Sequence, residues 1–304
     1  MSDVVLKVDR LNKSYGQQLV LKDLTFAVEE GQIVALLGRN GAGKTTTIRS
    51  LMGLIEPDSG EINLLGYSPQ KDPIEIRKRI GYLAEDQQMY GWMTVIETIQ
   101  FVSAFYDTWD HTLVQRLLQQ FDLPIATKVK ALSKGQNIRL GLLLALAHHP
   151  QMVIFDDPVL GLDPIMRKEF NRDMITHLQA ENCTVLYSSH LLYEVEPIAD
   201  IVMILHEGRI LRQAPTEELK ENVKRIIFSS GTAPLGNKKM RVIDAQQWEH
   251  QLALTVDNFQ QIEPDLELRG IEHEVQDLSL DEIFEAYIIG RPELPFNHPE
   301  PVEA

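Results

Sequence analysis

Two stretches of the chain gather residue types that could handle a phosphate. The first, GRNGAGKT at 38–45, fits the pattern G-x-x-x-x-G-K-[ST]. Gly38, Gly41 and Gly43 permit a tight loop whose backbone N–H groups converge on an anion, with Arg39, Asn40 and Ala42 completing the loop. Lys44 supplies an ammonium for the β- and γ-phosphates, the Thr45 hydroxyl suits Mg²⁺, and the Thr46 hydroxyl suits a phosphate oxygen. The second stretch, VIFDDPVLGLDP at 153–164, ends an apolar run in adjacent carboxylates, Asp156 and Asp157. Which of the two acids does chemistry is a question the pair alone leaves open. A third, weaker stretch is LSKGQ at 132–136, a serine and glycine ahead of a helical run. It could form an anion site, but by itself it reads more readily as a simple helix cap.

These residues need elements to hold them. QIVALLG at 32–38, MVIFDD at 152–157 and CTVLYSSH at 183–190 are almost wholly apolar runs. Such runs are expected of strands buried on both faces of a parallel sheet. From Lys44 the apolar residues Ile48, Leu51, Met52 and Ile55 recur at helical spacing, until EPDSGE at 56–61 ends the element with turn chemistry. A helix is also expected near 165–180, so strand, helix and strand alternate and an α/β fold with a mostly parallel sheet follows. Residues 1–35 alternate polar and apolar positions and predict an antiparallel sheet. Residues 86–150 predict a helical subdomain with two apolar stripes packed in a core. One stripe is Val95, Ile99, Val102 and Phe105–Tyr106; the other is Leu113, Leu117, Leu118 and Phe121. Residues 200–211 predict a hairpin turning at Glu207–Gly208. Beyond 220 the pattern changes. VKRIIFSS, KMRVID, QLALTVDN and LELRGIEHEV are strand candidates, and SLDEIFEAYII is a helix with Ser279 and Glu282 at capping-box spacing. The expected division is 1–220, a small α+β domain over 221–290, and a disordered proline-rich tail over 291–304.

Composition narrows the function classes. The 304 residues carry 44 acidic and 29 basic side chains, a formal charge of −15 that repels nucleic-acid phosphate, so no nucleic-acid partner is expected. Cys183 is alone, which excludes an intrachain disulfide. The N-terminal residues lack a signal pattern, and no apolar run approaches the ~20 residues that span a bilayer. A cytoplasmic protein is expected, reaching a membrane only through a partner.

Taken together, the glycine-rich loop, LSKGQ, the acidic strand end, GLDP and YSSH resemble the ATP-binding subunit of ABC transporters over about residues 1–220. The resemblance implies a P-loop NTPase cassette that binds ATP and Mg²⁺, pairs with a second cassette, and drives a separate integral membrane permease. The expected location is the inner face of the cell membrane. It implies that Tyr15 stacks on adenine, that Asp156 holds Mg²⁺ through water, and that His190 touches the γ-phosphate. Asp163 would contact the partner cassette, and Ser133, Gly135 and Gln136 would complete the ATP site of that partner. The appendage resembles the C-terminal extension of the ABC-2 exporter branch, which suggests export. Three positions depart from the family pattern. Asp157 stands where glutamate usually polarises the attacking water; it is one methylene shorter, and a misplacement of about 1 Å can cost ~10²-fold in rate. Glu85 replaces a glutamine that senses Mg²⁺ and the permease. Lys134 stands where glycine is common, either near a phosphate of the partner site or toward solvent. Asp157 keeps two alternatives open: a slow ATP-gated switch, or the degenerate half of a heterodimer. The resemblance further points to Met89, Tyr90, Trp92 and Met93 within 86–110, as either a permease-docking groove or core. Coiled-coil DNA-maintenance relatives are disfavoured by the short interval from Lys44 to Asp156, and a GTPase by the lack of N-K-x-D.

Overall fold

The alternation near the N-terminus folds as a strand, β1 (Val4–Tyr15), paired antiparallel with β2 (Gln18–Glu29). Leu6, Val8 and Leu11 are all buried, although Val8 and Leu11 lie an odd number of residues apart. A bulge at Arg10, whose φ is 47°, restores the inward face. The chain continues into β3 (Ile33–Leu37), α1 (Lys44–Leu51) and β4 (Ser59–Leu64). β4 returns to pair with β1, placing Ile62 against Val8 and Leu64 against Leu6. The turn expected over 56–61 therefore gives way to strand at Ser59, because the apolar residues beyond it complete this three-stranded sheet. A computed structural model describes residues 3–178, 183–229, 239–248 and 251–292.

The core sheet forms next. α2 (Pro73–Arg79) leads into β5 (Ile80–Leu83), and α3 (Val95–Ser103), α4 (His111–Gln120) and α5 (Lys134–Leu146) make the helical segment. β6 (Met152–Asp156), α6 (Pro164–Leu178), β7 (Thr184–Ser189), α7 (Leu192–Val195), β8 (Ile201–His206) and β9 (Arg209–Pro215) follow. The six strands lie in the order β5-β6-β7-β3-β8-β9, and β5 through β8 run parallel. Every residue of β3, β6 and β7 is buried, as their apolar runs require. β8 and β9 join through Glu207 and Gly208, whose φ values of 43° and 80° suit a two-residue hairpin turn. The carboxyl ends of β6, β7 and β3 thus sit side by side, where parallel sheets commonly bind ligands.

The helical segment keeps one expected stripe and loses part of the other. Leu113, Val114, Leu117 and Phe121 are buried on and after α4. On α3, Val95 and Ile99 are buried, but Phe105 is 62% exposed because the helix has already ended at Ser103. α5 is apolar nearly all round and buried along most of its length. One face of it is notched: a Cβ at Gly141 would collide with the Gln87 side chain, whose Oε1 is buried there without a hydrogen-bond partner.

These elements belong to a unit spanning Met1–Gln213; a second spans Ala214–Ala304. The division falls earlier than the expected residue 220, so α8 (Thr216–Asn222) belongs to the second unit. Its sheet holds β10 (Lys224–Ser229), β11 (Val242–Trp248), β12 (Gln251–Val256) and β13 (His273–Asp277) in the antiparallel order β11-β12-β10-β13. Between β12 and β13 lies α9 (Phe259–Leu268), where the sequence reading placed a strand beginning at Leu266. Phe259, Ile262 and Leu266 recur at helical spacing and pack on Ile226, Phe228 and Leu254, and the helix runs through Pro264. α10 (Leu280–Ile289) has the expected Ser279–Glu282 capping box. Of the tail expected over 291–304, residues 293–304 lie outside the described residues.

Candidate nucleotide site

The loop from β3 into α1 takes its shape from two glycines. Gly41 and Gly43 have φ of 83° and 113°, and Gly43 directly precedes the first turn of α1. A side chain at either position would be strained, and the loop would lose its N–H convergence. Lys44 is 5% exposed, yet its ammonium donates to the Gly38 carbonyl at 2.8 Å and lies 3.4 Å from Asp157 Oδ2. A buried cation is tolerable only with such partners.

The two aspartates part company at the end of β6. Asp156 Oδ1 accepts from the Thr45 hydroxyl at 3.3 Å and the Ser188 hydroxyl at 2.9 Å. Burial pushes its carboxyl above the usual range, the two hydroxyls and Lys44 pull it back, and the Asp157 charge pushes further up. Asp157 sits at φ 44°, an uncommon conformation for a non-glycine residue. That turn aims its carboxylate sideways: Oδ1 accepts from the His190 backbone N–H at 3.2 Å and lies 2.8 Å from His190 Nδ1. Lys44, Asp157 and His190 therefore form one connected chain of charge and hydrogen bonds.

A cleft of about 420 Å³ opens over this cluster. Tyr15, Arg39, Asn40, Gly41, Gly43, Lys44, Thr45, Thr46, Glu85, Asp157 and His190 line it, all of them residues singled out from sequence. Gly38 and Ala42 lie in the same loop, and Asp156 is reached through Thr45. Tyr15 is 49% exposed at the cleft, with the Lys13 ammonium 5.7 Å over its ring. Gln18, Val20 and Leu160 also line the cleft without having been expected there. Ser188 was missed as well, because only the parallel register that sets it opposite Asp156 reveals its role.

Ser133, Gly135, Gln136 and Asp163 do not line the cleft. Ser133 and Gln136 form a capping box at the start of α5, each side chain bonding the other's backbone N–H. Asp163 accepts from the N–H groups of Ile165 and Met166 at the start of α6. Lys134 is exposed at the start of α5, as the solvent alternative expects, with its ammonium lying close to Gly161.

A buried strand, a glycine-shaped turn and a helix carrying Lys44 and Thr45, beside a carboxylate-ended strand, define a P-loop nucleotide-binding protein. Comparison with known proteins narrows the class. The family model for ABC transporters matches residues 21–160. A bacitracin transport ATP-binding protein of Bacillus licheniformis is 38% identical over 225 residues, 73% of this chain and 74% of that protein. A lantibiotic transport ATP-binding protein of Streptococcus pyogenes is 33% identical, over 68% of this chain and 89% of that one. The solved structure of an ATP-binding subunit of an ABC transporter superposes with a TM-score of 0.64 at 31% identity, over 71% of this chain and 92% of that one. The chain belongs to the ABC transporter family, as an ATP-binding subunit.

Proposed function

We propose that this subunit hydrolyses Mg-ATP while clasped head to tail with a second cassette, and that closure drives a separate membrane permease in the direction of export. The observation that carries the reading is the shared hold on Asp157: Lys44 on one carboxylate oxygen and His190 on the other. A triphosphate entering the loop competes for the Lys44 ammonium and so releases Asp157 Oδ2 to accept a proton from water. Hydrolysis then depends on positioning and electrostatics, with Lys44 neutralising charge that develops on the transferred phosphoryl group and His190 positioned beside it by Asp157.

Mg²⁺ fits the residues present. Hydroxyl and carboxylate oxygens from Thr45 and Asp156 converge, and Glu85 lines the same cleft. Among the described residues no group of three or more His, Cys, Asp or Glu could hold a metal by itself. That matches a cation held by one or two protein oxygens together with substrate phosphates. Such an ion would neutralise phosphate charge. Tyr15 stacks on the base, and Ser133, Gly135, Gln136 and Asp163 face the ATP of the partner cassette in this proposal.

The permease would dock on the 86–110 segment. Tyr90, Trp92, Phe101 and Phe105 are exposed there in a continuous run of ring contacts 5.3–5.9 Å apart. Met89 and Met93, in the same segment, are half-buried. In this proposal attachment to the inner face of the membrane goes through that partner; no described helix is long and apolar enough to cross a membrane. The relatives named for bacitracin and lantibiotic transport support coupling to a transporter of this kind.

Steady-state ATPase assays test the reading. Asp157→Asn should lower turnover by about 10²-fold or more while ATP still binds. Wild-type turnover in that variant would remove Asp157 from catalysis. The engagement of both Asp157 oxygens favours one second reading, a slow ATP-gated switch. A rise of about tenfold or more in Asp157→Glu would support the switch, and a fall would support the shorter acid as a full catalyst.

A further inference from the structure

We infer that Ser188 is a positioning residue for hydrolysis, clamping the metal-site carboxylate of Asp156 and the main chain of Asp157 with one hydroxyl. The inference rests on the reading of Asp157 as the water-activating acid. Ser188 is fully buried in β7, opposite Asp156 in the parallel register. Its Oγ–H donates to Asp156 Oδ1 at 2.9 Å. The same oxygen accepts from the Asp157 backbone N–H at 3.1 Å, and the Ser188 carbonyl accepts from that N–H as well, also at 3.1 Å. A hydroxyl has one proton and spare lone pairs, so both bonds can exist at once.

The geometry gives this clamp a purpose. Asp157 departs from ordinary backbone space at φ 44°, and a strained residue persists only where its surroundings over-determine it. The turn at Asp157 is what carries a short carboxylate to Lys44 and His190. Doubling the acceptor on its N–H holds the turn; donating to Asp156 fixes the neighbouring carboxylate in the same stroke. An aspartate can then serve where reach is short, because its main chain is set by the adjacent strand. An apolar side chain at 188 would fill the sheet equally well but supply neither bond.

The test compares Ser188→Ala, Ser188→Thr and Asp157→Asn in the full chain, each checked for folding by thermal melting and for ATP binding in EDTA. Ser188→Ala should keep ATP affinity in EDTA within about twofold, lower kcat by about tenfold to a hundredfold, and raise the Mg²⁺ concentration for half-maximal rate. Threonine keeps the hydroxyl and suits a strand, so Ser188→Thr should recover most of kcat. If Ser188→Ala fails to fold, Ser188→Cys takes its place, with the same kcat loss expected from its weak hydrogen bonding. Wild-type kcat in the alanine variant (or in its cysteine substitute), or equal losses in alanine and threonine, would overturn the clamp. The two readings fail separately. An inactive Asp157→Asn beside a fully active Ser188→Ala sinks the clamp alone, whereas a fully active Asp157→Asn sinks the reading of Asp157 itself.

Discussion

The cleft at the ends of β3, β6 and β7 and the surface where α5 and α6 begin are both proposed to meet ATP, and they are built on opposite plans. In the cleft, Lys44, Asp156 and Asp157 are buried, and each depends on another side chain for its charge or its hydrogen bonds. At the helix starts, Ser133 and Asp163 are exposed and satisfied locally, by caps that need nothing beyond the next three residues. The first arrangement is tense: buried charge is costly, and its partners must stay in place. The second is self-sufficient and adds to helix stability. A surface that is stable alone can wait for a partner, whereas a cleft of mutually dependent charges is suited to take up a ligand of its own.

Removing the cation breaks the cleft most severely. Lys44→Ala should weaken ATP binding by about a hundredfold or more, since it deletes the phosphate contact and leaves Asp157 buried beside no cation; fluorescent-nucleotide titration checks it. The helix start should respond differently. Ser133→Ala removes a cap worth about 1 kcal/mol and should lower the melting temperature by a few degrees. It should leave ATP affinity of the isolated subunit unchanged while slowing turnover, and equal losses in both would erase the contrast between the regions.

The smallest effect concerns Asp156 and has a definite sign. Its carboxyl is raised in the fold, so the native state holds the proton more tightly than the unfolded chain. Stability contributed by this group is therefore present at low pH and lost as pH climbs through the raised value. Asp156→Asn keeps an acceptor for Thr45 and Ser188 without the charge. It should melt a few degrees higher than wild type at pH 8 without nucleotide, with the gain vanishing toward pH 4. Melting curves at the two pH values decide it; a loss of stability at pH 8 would mean that burial of the ionised carboxylate carries no net cost.

The parallel strands and the phosphate loop were legible because each is written in adjacent residues: an apolar run, then glycines, lysine and threonine. The caps of α5 and α10 were legible for the same reason. What escaped depends on residues distant in sequence. Ser188 looks ordinary until β7 is laid beside β6, and β4 reads as a turn until β1 offers it a partner. Phe105 continues the spacing of Val95 and Ile99 but falls beyond the end of α3, so periodicity alone buried it wrongly. At α9 the difference runs the other way: the strand expected from Leu266 begins inside a helix that packing on the sheet sustains.

The notch at Gly141 carries an engineering consequence. Replacing a helical glycine by alanine ordinarily stabilises a protein by about 0.5–1 kcal/mol, and a search for hardier variants would choose this change early. Here the added methyl would evict Gln87, two residues from Glu85 at the cleft and three from Tyr90 in the aromatic run. A variant selected on its melting curve would thus gain in hardiness while the strip of chain between the cleft and the aromatic run is unseated.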